Sequence, residues 1–562
     1  MRGEHENQLD EFPSSQIWFL VPARGGSRRL PRKNVLTLGG KPLIAHVLGM
    51  LTAGFDARKV IVMTDDDEIA GVAAAHGTTV LREPRTTGTR TLDDVAVDVC
   101  RHLTANGASS QDILVTVQPT CPFIAAKTIR AAAELLLKGS RTVLTVSDDR
   151  HLRWTRDAEG RPQPMYQERL NRQVLPPVLR ETGGVIAGFI GDILTTGTRI
   201  QKGRVMLVEV DEKEAIDIDT YTDFLVAQHY LTQRKVLIRA DGSKELGVGH
   251  INRAIALATN LPGYDIEIVT RCDGEYALGH RMLAEQPFRL HTIAAEAEFP
   301  AAVGSIRPDI LFLDILNTQA GDIQGLRNFT SKIVSFEDLG EGAQHVDLVI
   351  NDLYASHSPA RNELSGVENA LLSTVFEHLP PRPPLNDTVE NVLVLFGGTD
   401  PSALTGTALS ALGTIGYAGK VTVVAGPGQA GRQIDLAAFG LKGEVLRNVT
   451  DMAHVMAHAD LAISSAGRTV TELMTVGVPT VVLCQNRREM LHTHASQSFG
   501  VMNLGLGKSI DPETLGRTLK LLQEDRGLRA HMRTLMLSAT AKRSNREIVR
   551  RIEHILGLER PW

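Results

Sequence analysis

The sequence predicts an α/β fold built on parallel sheets, and three observations carry that expectation. Short runs rich in Val, Ile and Leu alternate with stretches of helical period, as expected for strands covered on both faces by crossover helices. Apolar residues make up 43% and charged residues 22% of the 562 positions, an ordinary globular balance that excludes a disordered or fibrous chain. No apolar run reaches the roughly eighteen residues of a membrane span, and GVIAGFIGDIL is broken by Gly and Asp, so no stable membrane insertion is expected.

Residues 1–15, MRGEHENQLDEFPSS, carry acids and no apolar core and read as a disordered tail, not a signal peptide. A first domain over 16–234 follows, with strands expected in IWFLVPA, KVIVMTD, DILVTVQ, TVLTVS, GVIAGFI and RVMLVEV and a closing helix in TYTDFLVAQHYLTQRK. A second series, KVLIRA, DIEIVT, DILFLDI, KIVSF and DLVIND, fills 235–378. The prolines of HLPPRPPLND then interrupt both helix and strand, which makes a linker. The third domain, 388–562, holds NVLVLFGG, KVTVVAG, DLAISSAG and TVVLCQN before a charged helical tail.

Sixty Lys and Arg against sixty-five Asp and Glu give a net charge of −5, and with 4% aromatics this offers no footprint for a nucleic-acid partner. Cys100, Cys121, Cys272 and Cys484 form no CxxC or Cys/His cluster, so reduced thiols in a cytoplasmic protein are expected.

The first strand runs into Arg24-Gly25-Gly26-Ser27, followed by Lys33-Asn34. Glycines at a strand end let backbone approach a phosphate, and the cations beyond can neutralise it. Gln118-Pro119-Thr120-Cys121-Pro122 follows a later strand, Arg172-Gln173 lies mid-domain, and Ala215-Ile216-Asp217-Ile218-Asp219 comes near the domain's end. On a strand Asp217 and Asp219 would share a face and could hold one hard divalent cation, Mg²⁺ by preference.

These four motifs, in this order, resemble those of the acylneuraminate cytidylyltransferases, which make CMP-activated sialic acid and its relatives. The resemblance implies that Arg24, Gly25, Gly26, Ser27, Lys33 and Asn34 contact CTP, with Gln118 and Thr120 at its base or sugar. It also implies that Arg172 and Gln173 face a nonulosonic acid acceptor and that the domain forms a homodimer. Arg24, Lys33 and Asp219 are the residues expected to carry the chemistry. Cys121 replaces a family serine and Thr182-Gly183-Gly184 an Asn-Gly, both near the acceptor.

In the second half a strand ends in Arg239 and Asp241, and a helix opens at Gly249-His250 with Arg253 one turn on. A helix N-terminus favours a neutral imidazole, suited to a base. Phe396-Gly397-Gly398-Thr399-Asp400 follows the linker, and Ser465-Ala466-Gly467-Arg468-Thr469-Val470-Thr471-Glu472 precedes Gly477-Val478-Pro479. These runs resemble the UDP-sugar hydrolase of the pseudaminic acid pathway and the wider set of two-domain glycosyltransferases with the GT-B fold.

The implied whole is a nucleotide-diphospho-sugar transferase domain, Rossmann-like, fused to a GT-B-type pair of Rossmann-like domains. Amides of Gly397, Gly398, Ala466 and Gly467 would hold a diphosphate, Thr469 and Glu472 the nucleotide, and Arg239, Asp241, Gly249 and Arg253 the UDP-amino-sugar. His250 would act on the attacking water, and no metal is expected in this half. Hydrolysis, transfer to another acceptor and nucleotide-sugar binding alone all remain open here. Gln485-Asn486-Arg487-Arg488-Glu489 with His492 and His494 has no assigned role, and two histidines at i and i+2 read as a satisfied surface pair more than as a metal site.

Overall fold

The computed structural model describes residues 17–27, 29–83, 90–354, 362–379, 384–429 and 431–558. The expected tail over 1–15 and most of the proline run lie outside the described residues. The chain divides into two compact units, Met1–Thr232 and Gln233–Trp562.

The first unit is built on seven strands: β1 (Ile17–Pro22), β2 (Val60–Thr64), β3 (Thr79–Arg82), β4 (Ile113–Thr116), β5 (Thr142–Asp148), β6 (Leu179–Phe189) and β7 (Val205–Glu209). They are ordered β7-β5-β6-β4-β1-β2-β3. The apolar runs form the buried centre: every residue of β2 and β4 is buried. Core clusters cover both faces, one around Phe19, Ile44 and Val62 and the other around Leu20, Ile61 and Val99. The sheet is not wholly parallel as expected, because β6 pairs antiparallel with both β4 and β5. Its register shifts between Glu181 and Ile186, so a bulge sits where Thr182-Gly183-Gly184 lies.

The second unit carries two parallel sheets. One contains β8 (Lys235–Ala240), β9 (Asp265–Arg271), β10 (Arg289–Ile293), β11 (Ile310–Asp314), β12 (Lys332–Phe336), β13 (Leu348–Asn351) and β14 (Glu363–Ser365), in the order β10-β9-β8-β11-β12-β13-β14. The other contains β15 (Asn391–Leu395), β16 (Lys420–Ala425), β17 (Lys442–Arg447), β18 (Leu461–Ser464), β19 (Thr480–Cys484) and β20 (Val501–Leu506), in the order β17-β16-β15-β18-β19-β20. Both orders reverse at a central strand, the switch point where open α/β sheets take their ligands. The final helix, Asn545–Leu556, lies within the stretch read as the third domain. Its Ile548, Val549, Ile552 and Leu556 nevertheless pack in the core of the β8–β14 sheet.

Candidate functional sites

In the first unit the loop after β1 is drawn tight by its own polar groups. The Gly25 N–H donates to Asp65 Oδ1 at 2.9 Å, and a Cβ at Gly25 would stand 2.6 Å from Asp66 Oδ2, so only glycine fits. Gly26 is exposed with open space around it, and Ser27 is half-buried beside it. Buried Asn34 donates to the Arg24 carbonyl at 2.9 Å, stapling the ends of the loop together. Arg24 itself donates in a fork to buried Glu83, from Nη2 at 2.8 Å and from Nε at 3.2 Å, so its guanidinium is oriented before any ligand arrives.

Three distant motifs converge here. Lys33 Nζ donates to Asp219 Oδ1 at 2.8 Å, Arg29 stands 3.5 Å from the same carboxylate, and the Ile218 N–H donates to the Thr120 carbonyl at 2.9 Å. Asp217 and Asp219 lie in a loop and not on the expected strand. Burial pushes the Asp217 carboxyl above its usual range and Asp219 adds to this, against the pull of Thr120 and Lys33; Arg180 on β6 also pulls it down. Sequence reasoning missed Arg180. Asp217 Oδ1 is buried without a hydrogen-bond partner, an anionic oxygen short of positive charge, and a divalent cation fits that deficit. Among the described residues no group of three or more His, Cys, Asp or Glu is arranged around a metal, so phosphate oxygens and water would complete an octahedral Mg²⁺.

The bulge in β6 joins this cluster. Cys121 Sγ donates to the Thr182 carbonyl at 3.3 Å, and a Cβ on Gly183, whose φ is +73°, would stand 2.7 Å from Gln118 Nε2. Burial drives the Cys121 thiol far upward, so it is a neutral packing group here. Arg172 and Gln173 sit exposed on a short turn at Arg172–Val174.

The second unit holds a cleft of about 1470 Å³ at the ends of its two sheets. Asp241, Gly249, His250, Arg253, Gly397, Gly398, Gly467, Thr469 and Glu472 are among the residues that line it. His250 lies 2.6 Å from Asp314 Oδ1 through Nδ1; a carboxylate only accepts, so Nδ1 carries the proton and Nε2 is left for the cleft. Arg253 donates from Nε to Asp314 Oδ2 at 2.6 Å and pairs with Glu337. Burial alone would push the Asp314 carboxyl up, but Arg253 and His250 outweigh it and hold it below its usual range. Gly398 is required by contact, since a Cβ there would meet Val248 Cγ2 at 2.4 Å.

Two expected ligands are not in the cleft. Arg239 is fully buried and is paired with Asp241 and Glu296, a structural ion pair behind the strand end. Ala466 is buried as well, and its N–H already donates to Glu489 Oε2 at 3.2 Å. That contact gives the Gln485–His494 segment a role: it braces the glycine loop. Gln485 N–H also donates to Glu489, His492 Nδ1 donates to the Ala466 carbonyl at 2.7 Å, and His494 Nε2 donates to the Gly467 carbonyl at 3.2 Å. Both imidazoles are pushed down by burial, His494 to about 4. Both are buried packing histidines and not the surface pair the spacing suggested, and Nδ1 of His494 lies without a hydrogen-bond partner among the described residues.

Comparison with known proteins agrees with this division. The cytidylyltransferase family matches residues 18–159, and the glycosyltransferase family 28 C-terminal domain matches residues 392–543. A 3-deoxy-manno-octulosonate cytidylyltransferase of Leptothrix cholodnii is 33% identical over 32% of this chain and 72% of its own length. The CMP-N,N'-diacetyllegionaminic acid synthase of Legionella pneumophila is 29% identical over 38% of this chain and 95% of its own length. The spore coat polysaccharide biosynthesis protein SpsG of Bacillus subtilis is 27% identical over 50% of this chain and 86% of its own length. An uncharacterized protein of Methanocaldococcus jannaschii, 26% identical, is spanned over only 56% of its length. The chain thus belongs, through its first unit, to the cytidylyltransferase family, and residues 392–543 of its second unit match the glycosyltransferase family 28 C-terminal domain.

Proposed function

We propose that the protein is a bifunctional enzyme of nonulosonic acid biosynthesis, acting in the cytosol. In the first unit the anomeric hydroxyl of a nonulosonic acid attacks the α-phosphorus of CTP; an O–P bond forms and pyrophosphate leaves. Arg24 and Lys33 offset the phosphate charge, the Gly25-Gly26 turn lets the chain approach it, and Gln118 and Thr120 hold the nucleoside end. Asp217 and Asp219 would hold Mg²⁺, which when bound supplies charge neutralisation on the triphosphate. Most of the rate then comes from positioning. The convergence of Lys33, Asp219 and Thr120 supports this reading, as does the likeness to a synthase of a CMP-activated nonulosonic acid.

The second unit, in this reading, hydrolyses a UDP-amino-sugar. Nε2 of His250 takes a proton from water, the water oxygen bonds to the anomeric carbon, and UDP departs with the electrons of the broken C–O bond. Amides at Gly397, Gly398 and Gly467 receive the diphosphate charge, and Glu472 accepts from the ribose. The observation that carries it is the His250–Asp314 pair facing a cleft lined by those glycines. A second reading, transfer of the sugar to a hydroxyl acceptor in place of water, is favoured by the family 28 match.

One experiment tests both sites: purified protein with CTP, Mg²⁺ and a panel of nonulosonic acids, and separately with UDP-N-acetylglucosamine and its 4-amino and 2,4-diacetamido deoxy derivatives. Pyrophosphate and CMP-sugar are expected from one acid, and UDP with free sugar from one nucleotide sugar. No pyrophosphate from any acid would end the first assignment. UDP released only when an acceptor is added would replace hydrolysis by transfer.

A further inference from the structure

The geometry points to a residue outside the expected ligand set. Arg468, in the glycine loop of the domain built on β15–β20, reaches across the cleft to the domain built on β8–β14. Its Nη1 donates to Glu337 Oε1 at 3.1 Å and lies 3.1 Å from Asp352 Oδ2, and its Nη2 donates to the Leu371 carbonyl at 2.9 Å. The side chain is only 13% exposed, and its Cδ lies 3.6 Å from where a Cβ of Gly249 would stand, beside His250. Glu337 shares the same Oε1 with Arg253, which in turn holds Asp314, the partner of His250. Glu337 also sits at a φ of +52°, a conformation costly for a side-chain-bearing residue and met most often at functional sites.

We propose that Arg468 is a positioning residue for the second site: by clasping Glu337 and Asp352 across the cleft it fixes the Arg253–Asp314–His250 chain, so that the base is set in place only when the two domains are docked. This rests on the hydrolase reading of the cleft and deepens it. Nη1 and Nη2 of Arg468 both hold protein acceptors, so the role assigned to it is in turnover and not in nucleotide affinity. The charged and titratable groups around the chain are Arg253 on its own helix, Asp314 at the end of β11, Glu337 after β12, Asp352 and Tyr354 after β13, and Arg468, Arg488, His492 and His494 from the opposite domain. At Glu337 Arg253 and Arg468 outweigh burial and hold the carboxyl well below its usual range, whereas at Asp352 burial and the charge of Glu337 prevail over Arg468 and Arg253 and raise it. Removing Arg468 therefore lets this acid pair take up a proton at higher pH.

The test uses the full chain with Arg468→Gln, Arg468→Lys, Glu337→Gln and the double variant Arg468→Gln/Glu337→Gln. With the panel sugar that wild type cleaves fastest, Arg468→Gln is expected to lower kcat by about tenfold or more while the calorimetric Kd for UDP changes less than about threefold. The acid limb of its pH profile moves up, Arg468→Lys restores part of kcat, and the double variant loses little more than either single one. Hydrogen exchange, which needs no turnover, should quicken in the 249–259 peptide of Arg468→Gln although the substitution lies in the other domain; Glu337→Gln should do the same, which serves if Arg468→Gln fails to fold. A large loss of UDP affinity with kcat intact would make Arg468 a phosphate ligand and overturn the proposal, as would unchanged exchange with additive kcat losses. If wild type released no UDP from any sugar, the hydrolase reading would fall, and exchange would still decide whether Arg468 governs His250.

Discussion

Glu472 shows how much a single side chain can reveal once its surroundings are known. Burial pushes its carboxyl up to about 7, with Arg468 only partly opposing. A carboxyl raised above its unfolded value stabilises the fold fully below about pH 4.5, and that contribution disappears as pH rises through about 7. Glu472→Gln should therefore gain thermal stability relative to wild type at pH 8 and little at pH 5, measured by melting the two proteins in parallel. In the proposed role the ionised form accepts from ribose, so wild-type UDP affinity should fall below about pH 7 and the variant's should be weak throughout. Equal pH dependence in both would remove Glu472 from the nucleotide site. Its motif exposed this residue in the sequence, as did those of Lys33 and His250. Arg239 and Ala466 were misread for a reason no motif contains: Glu296 and Glu489, distant groups that occupy them, are set by tertiary packing.

Legibility in the elements follows burial. The central strands β1, β2, β4, β8, β11, β15 and β18 stood out because parallel strands covered on both faces are nearly continuous apolar runs. The edge strands β3, β10, β14, β17 and β20 did not, because a half-exposed strand mixes in polar residues, and β17 reads KGEVLR; the edge strand β7 is the exception, legible from the apolar run in RVMLVEV although it is largely exposed. The antiparallel course of β6 was equally hidden, since direction leaves no trace in composition. Its bulge is where the element meets the chemistry, as bulges beside active sites commonly do. Gly183→Ala would place a Cβ in a left-handed conformation and drive it into Gln118. About 1–3 kcal/mol of strain is expected, seen as a lowered melting temperature, with CMP transfer reduced by about tenfold or more. An alanine variant of full activity would show that Gln118 moves freely and does not hold the nucleoside.

For the whole molecule, the two units each have their own sheets and cores, so the two proposed activities should separate. Asp219→Asn is expected to abolish CMP transfer and leave UDP release unchanged, and His250→Ala to do the reverse, measured on the same preparations. Loss of both activities from either change would mean that the sites depend on each other. The near-neutral charge that gave no hint of an anionic ligand is explained at this scale: the positive potential is supplied locally by strand-end loops, arginine forks and amide dipoles. The return of the final helix to the β8–β14 sheet has a further bearing, on synthesis. The helix carrying His250 and the strand carrying Asp314 leave the ribosome well before the final helix, yet their core lacks Ile548, Ile552 and Leu556 until the whole of the β15–β20 domain has followed. The two halves of the cleft must therefore mature together, and a nascent chain halted between them would carry an uncovered apolar sheet face, a target for chaperones.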